Sequence, residues 1–165
     1  MHICIQLSKL DYGNASLAGI PANLLRRLQS VLNAAARTIT CLPRSAHISS
    51  TLAELHWLRA AERINFKLAT MMFRCLHNTA PRYLSVNFIR VADVSARRRL
   101  RSSTSNAIIV QRTRLVTVGD RAFPVAGANL WNSLPHDITS LDSLHSFRRQ
   151  LKTHLFRISH PDFCC

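Results

Sequence analysis

The stretch that most constrains this chain is residues 60–77, AAERINFKLATMMFRCLH. Ile64, Leu68, Met71, Met72, Cys75 and Leu76 recur at helical spacing, and Phe66, Ala69 and Phe73 widen the stripe. A helix this apolar around its circumference must be surrounded by other elements rather than lie on a surface. The spacing therefore predicts a helix over 60–77 at the centre of a core, ended by Asn78 and Pro81.

The surrounding elements read mostly as helices with one apolar face. Residues 3–18 are moderately apolar and predict a helix ending at Gly19. Pro21 opens a clearer one over 22–39, with Leu24, Leu28, Val31, Ala35 and Ile39 in one stripe, widened by Leu25, Leu32 and Ala36, and Arg26, Arg27 and Arg37 mostly opposite. After a break at Pro43, Ser49 to Thr51 offer N-caps to a short helix through Leu52, Leu55 and Trp57, and 82–89 predict one further turn. Over 142–158, Leu144, Phe147, Leu151, Leu155 and Ile158 lie opposite Arg148, Arg149 and Lys152.

Between these lies a different kind of sequence. AIIV (107–110) predicts a short strand, and β-branched residues predict another from Thr113 to Val118. Together they suggest a small ribbon around Gln111-Arg112, although no Asn-Gly-type turn is present. Gly119-Asp120 then supplies a turn and an N-cap for a helix through Phe123, Ala126, Leu130 and Leu134, which Pro135 stops. The fold class expected is mainly α, with four to five amphipathic helices, a minor two-stranded β element and a basic loop between two helical parts. The organisation is a helical part at 1–89, an Arg/Ser linker at 90–106, a ribbon with two helices at 107–158, and a tail at 159–165. Residues 22–88 should form the principal core, and the two late helices should pack together around Phe123, Leu130, Trp131, Phe147 and Leu151.

Charge decides which partners are plausible. Twenty-two Lys and Arg against eight Asp and Glu give a net +14, and only Lys9, Lys67 and Lys152 are lysines. Arginine's planar fork matches phosphate better than a point charge does. An arginine-dominated surplus points to an anionic partner, with RNA or DNA the leading candidate through non-specific phosphate contacts. Between Arg90 and Arg121, eight arginines face two aspartates, a local excess of +6. Arg97, Arg98, Arg99 and Arg101 form the densest cluster and could neutralise phosphates or simply be solvated. Arg112 and Arg114, alternating on one face of a strand, and Arg121 in the turn, are further candidates or else line the wet face of a ribbon. If about six phosphates were neutralised, binding to duplex DNA would fall with log salt at a slope of about −5.

Other chemistries find little support. The five cysteines form no CxxC pair, and the His/Cys neighbours make no four-ligand set, so no metal or other cofactor is expected. The eight acidic residues include no adjacent pair, no nucleophile elbow appears, and four glycines cannot build a phosphate loop. Trp57 and Trp131 could stack on bases, but each sits beside leucines at helical spacing, which favours core anchoring. No stretch reaches the ~20 apolar residues that cross a bilayer, and MHICIQLSK is too short an apolar run for a signal peptide. An intracellular chain, nuclear or cytoplasmic and not secreted, without membrane contact, is expected.

Several segments in series carry a resemblance. They are LSKLDYGNASLAGIP (7–21), RRLQSVLNAAARTIT (26–40), HISSTLAELHWL (47–58), ERINFKLATMMFRCLHNTAPRYLS (62–85), LRSS (100–103), RTRLVTVGDRAF (112–123), LWNSLP (130–135) and SFRRQLKTHLF (146–156). In this order the chain resembles the C-terminal, post-polymerase region of non-LTR retrotransposon (LINE, jockey-like and chicken-repeat-like) reverse transcriptase polyproteins. The resemblance implies that the catalytic aspartates of the RNA-directed DNA polymerase lie upstream of this region. The chain then looks like a severed, non-catalytic tail that binds template RNA or target DNA. Gly13, Arg59 and Gly127-Ala128-Asn129 depart from the family pattern and suggest a decayed copy. The alternative expectation is an inactive structural remnant that self-associates through unpaired apolar faces.

Overall fold

The computed structural model describes residues 13–94 and 106–163. The molecule is mainly helical. Among the described residues four helices exceed ten residues: α1 (Ala22–Thr40), α3 (Ala60–Leu76), α6 (Phe123–Ser133) and α8 (Leu144–Ser159). Shorter ones are α2 (Ser49–Glu54), α4 (Arg82–Ser85), α5 (Val116–Gly119) and α7 (His136–Thr139). A single 3-10 turn, Asn14–Leu17, and the turn at Gly19 occupy the described end of the expected 3–18 helix. Residues before 13 lie outside the described region.

The apolar helix α3 is the centre, as its composition requires. α8, α6, the Asn14–Leu17 turn and α1 all pack against it. Its buried Ala69, Met72 and Phe73 meet Trp131 of α6 and Phe147, Leu151 and Leu155 of α8 in one cluster, with Phe123 and Leu130 packed at its edge. Phe147 stacks on Trp131 with centroids 5.7 Å apart and meets Phe73 at 4.5 Å. The expected meeting of the two late helices around these residues is present, with α3 beneath both. The 1–89 and 107–158 parts thus share a core.

Two details fix α3 in place. Its first amide, on buried Ala60, donates to the Gln29 side-chain carbonyl of α1 at 2.8 Å. The Gln29 amide nitrogen in turn donates to Asn33 Oδ1 at 2.8 Å, which sets its orientation. An orphan donor at the start of a buried helix is thereby satisfied by a neighbouring helix rather than a local cap. Further along, α6 comes so close that a Cβ on Gly127 would lie 2.5 Å from Met72 Sδ. Only glycine permits that approach without displacement. At its far end, α3 stops at Asn78, in a left-handed conformation (φ 55°), followed by Pro81.

The segment between 106 and 122 departs from expectation. No ribbon over 107–118 is present among the described residues. Thr113–Val118 is not a strand: 111–113 is irregular, and 116–119 is one helical turn closed by the Gly119 amide donating to the Leu115 carbonyl at 2.7 Å. The β-branched preference of this stretch loses because no tight turn at Gln111-Arg112 is available to fold it back. The extended piece around Ile108 finds other partners. One edge bridges antiparallel to Arg90, with Val91 N–H donating to the Ala107 carbonyl at 2.9 Å and Ile109 N–H to the Ile89 carbonyl at 3.0 Å. The other edge is met by a side chain: Asn132 Oδ1 accepts from Ile108 N–H and Asn132 Nδ2 donates to the Ile108 carbonyl, both at 2.9 Å. Asn132 substitutes for a neighbouring strand. Beside it, Trp131 Nε1 donates to the Asn106 carbonyl at 3.0 Å.

Capping expectations also need correction. Asp120 is not an N-cap; it follows α5 and accepts from the Thr113 hydroxyl at 2.8 Å, while Ala122 precedes α6 with no side-chain cap. Ser49 to Thr51 lie inside α2, which Ile48 precedes without side-chain capping, and Thr51 is buried. Pro124 in the first turn of α6 has no amide hydrogen to leave unpaired, and its fixed φ suits a helix start. Among the described residues no helix is long and apolar enough to cross a membrane.

Candidate nucleic-acid interface

Arg97, Arg98, Arg99 and Arg101 lie outside the described residues. Arg112 and Arg114 are both exposed, but on irregular chain rather than on one face of a strand. Arg121 does structural work. Its Nε reaches the Ala18 carbonyl at 3.5 Å, and its stem lies over Gly19, where a Cβ would fall 2.9 Å from Arg121 Cγ. The side chain holds the Asn14–Leu17 turn against the start of α6 through packing as much as charge. The arginines that sequence reading singled out therefore do not converge on one described site.

A convergence occurs elsewhere, in the furrow between α3 and α8. Arg63 and Lys67 project from α3, and Arg148 and Lys152 from α8, around a cavity of about 360 Å³. Each pair is spaced i, i+4, which places its members one above the other on a helix face. The walls thus carry two cations each, and the lining completed by His56, Trp57, Leu58 and Phe66 includes no acidic residue. Trp57 and Phe66 are half-buried and His56 is exposed. The Arg148 guanidinium stands over the Phe66 ring, 5.9 Å from its centroid, in a cation–π contact.

The end of the furrow is held from below. His56 adopts φ 51° and its ring lies 5.7 Å from that of Phe156. The Trp57 carbonyl is hydrogen-bonded to Nε2 of buried His160 at 3.0 Å, and the Trp57 amide donates to the Leu52 carbonyl at 2.9 Å. Trp57 is a partly exposed ring on a fixed backbone, whereas Trp131 is the fully buried anchor its leucine-flanked position suggested.

A second groove runs between α7 and the outer face of α8, about 600 Å³ in volume, with His145, Arg149, His154 and Arg157 facing Asp137. Its carboxylate makes it less purely cationic than the furrow. Among the described residues no cluster of His, Cys, Asp or Glu could hold a metal ion. Burial pushes the Cys75 thiol above its ordinary range, so it stays protonated and unreactive. His77, stacked 4.0 Å from Phe73, is pushed below the usual histidine range, first by burial and then by the Arg90 charge, with Asp142 opposing.

Sequence alone does not single out Arg63 and Lys67, and it places Arg148 and Lys152 only opposite the apolar face of their helix. The i, i+4 spacing within each helix was visible, but which two helices would become neighbours was not. Compared with protein-family models, with curated proteins and with solved structures, the chain matches none.

Proposed function

We propose that this chain is a non-catalytic nucleic-acid-binding module of the kind that follows the polymerase in a non-LTR retrotransposon reverse transcriptase. The observation that carries the binding half of this reading is the acid-free furrow, where two helices each contribute two cations beside aromatic rings. It is supported by the net charge of +14, nineteen-twenty-seconds of whose cationic side is arginine. The ancestry half rests on the eight ordered sequence segments. Absence of any adjacent aspartate pair in the sequence supports a binding rather than a polymerising role. RNA or DNA would be held through phosphates, without a cofactor, and mostly without regard to sequence.

The test is a filter-binding titration at low and physiological salt. Affinity should fall steeply with salt, and charge removal at Arg97, Arg98, Arg99 and Arg101 should weaken all sequences alike. No retention of RNA or DNA at about 50 mM salt ends the proposal. A second reading, a self-associating remnant, is favoured by one observation: Leu24, Val31 and Ile39 of α1 are each exposed by 41–49%. Light scattering separates the two readings, because a clean monomer that binds nucleic acid removes the second.

A further inference from the structure

We propose that the α3–α8 furrow receives a single strand of nucleic acid, with phosphates gripped from both walls and base rings laid on Phe66 and Trp57. This rests on the nucleic-acid-binding reading above and adds the strand state and the residues that select it. The argument begins from width. Two packed helices have axes about 8–10 Å apart, and each is about 10–12 Å across with its side chains. The pair is therefore broader than the roughly 12 Å major groove of a DNA duplex and cannot enter it. The deep, narrow major groove of duplex RNA is closed to it as well. A duplex can touch the rim cations from outside, but its paired bases cannot reach the floor of the furrow. A single strand can sink between the walls.

Chemistry inside the furrow matches that occupant. Cations at i, i+4 rise by about 6 Å along each wall, which is the scale of one nucleotide of backbone. Arg63 and Lys67 on one side, and Arg148 and Lys152 on the other, can then meet successive phosphates. The half-buried rings supply the apolar faces on which any base stacks, which is why such sites tolerate sequence. Arg148, already lying over Phe66 at 5.9 Å, presents a planar guanidinium at the level where a base would enter. The α7–α8 groove offers cations too, but Asp137 sits among them and its only aromatic rings are the imidazoles of His145 and His154, with no Phe, Tyr or Trp.

The experiment uses the full chain and fluorescently labelled oligonucleotides of about 20 nucleotides, as oligothymidylate and as a mixed-sequence duplex, read by anisotropy across a salt series. Arg63, Lys67, Arg148 and Lys152 are all changed to Gln, with folding checked by circular dichroism. A second protein carries Gln at Arg97, Arg98, Arg99 and Arg101. The expected result is tighter binding of the single strand than the duplex. The furrow variant should lose at least tenfold in single-strand affinity, with the salt slope reduced by about 3. Should that variant not fold, the pair Lys67→Gln with Lys152→Gln is read instead, with a slope reduced by about 1.4. Trp57→Ala should weaken the single strand about tenfold and leave its salt slope unchanged, which a loss of charge would not do. If the original protein binds nucleic acid but the furrow variant binds the single strand equally well, the furrow is overturned while the general reading stands. Equal affinity for duplex and single strand overturns the strand selection. Failure of the original protein to bind either probe at about 50 mM salt removes the underlying reading and this proposal together.

Discussion

Replacing Asn132 by aspartate exchanges one NH2 group for an oxygen and removes one hydrogen-bond donor. In the native chain the amide accepts from Ile108 N–H and donates to the Ile108 carbonyl, each at 2.9 Å, and Ile108 is 2% exposed. An ionised carboxylate keeps the first bond and sets an oxygen against the carbonyl oxygen in place of the second. Removing one partner of a bond so that a buried acceptor is left without a donor costs about 1–3 kcal/mol. Asn132 itself is exposed, so water offsets part of the penalty, and a net loss of about 2 kcal/mol is expected. With a urea m-value of about 2 kcal/mol/M, the midpoint should drop by about 1 M in a tryptophan-fluorescence melt at pH 7. Acid should reverse the effect. The protonated carboxyl can again donate to the carbonyl, so its folded pKa is raised above the unfolded value. The stabilisation it provides is complete below the unfolded pKa and is lost as pH rises through the folded pKa. The gap to the native protein should therefore narrow from pH 7 to pH 4. A variant within about 0.5 kcal/mol of native at pH 7, or a gap indifferent to pH, refutes the strand-like role of this side chain.

Two further expectations follow from the core. Gly127→Ala gains about 1 kcal/mol of helix propensity but drives a Cβ to 2.5 Å from Sδ of fully buried Met72, and overpacking costs about 1–3 kcal/mol. A net loss of about 1 kcal/mol is expected by urea denaturation, with a larger loss for Gly127→Val; an Ala variant more stable than native would sink the close-approach argument. For His77, burial and Arg90 lower the folded pKa, so the unfolded state binds the proton more readily. Its contribution is intact above the unfolded histidine pKa and is lost as pH falls below it. His77→Gln should flatten the decline in urea midpoint between pH 7.5 and about 5.5, and an unchanged slope would count against the assignment.

The helices were legible in extent wherever apolar spacing ran long, but not always in face. Of the stripe expected to be buried on α1, Leu24, Val31 and Ile39 are exposed, and the flank at Leu32 and Ala36 is what the core covers. α1, α3 and α8 begin and end within two residues of the expected 22–39, 60–77 and 142–158. Their centre was legible too, because α3 has too little polar surface to lie anywhere else. Short segments were uneven: the short helices expected near 49–57 and within 82–89 are present as α2 and α4, but the strand expected at Thr113–Val118 is not. Val116, Thr117 and Val118 have strand-forming side chains, but four residues form a strand only if a partner edge exists, and that edge went to Arg90 and Asn132 instead. Caps failed for a related reason, since the α3 amide is satisfied by Gln29, thirty-one positions away in sequence. The candidate site shares this dependence on distance. Arg63 with Lys67, and Arg148 with Lys152, are ordinary wet-face pairs until packing sets one helix beside the other. Charge density along the chain drew attention to clusters local in sequence, of which Arg121 proves to be partly a packing side chain.

The paired backbone at Val91 and Ala107 has a consequence for how such chains can vary. It joins the two flanks of residues 95–105, which carry Arg97, Arg98, Arg99 and Arg101, while Trp131 and Asn132 hold the exit side. The two flanks are fastened to each other and to α6, so the local backbone on either side is set by Val91, Ala107, Trp131 and Asn132. Arginines gained or lost between the flanks change the charge of the chain while leaving those four anchor residues as they are.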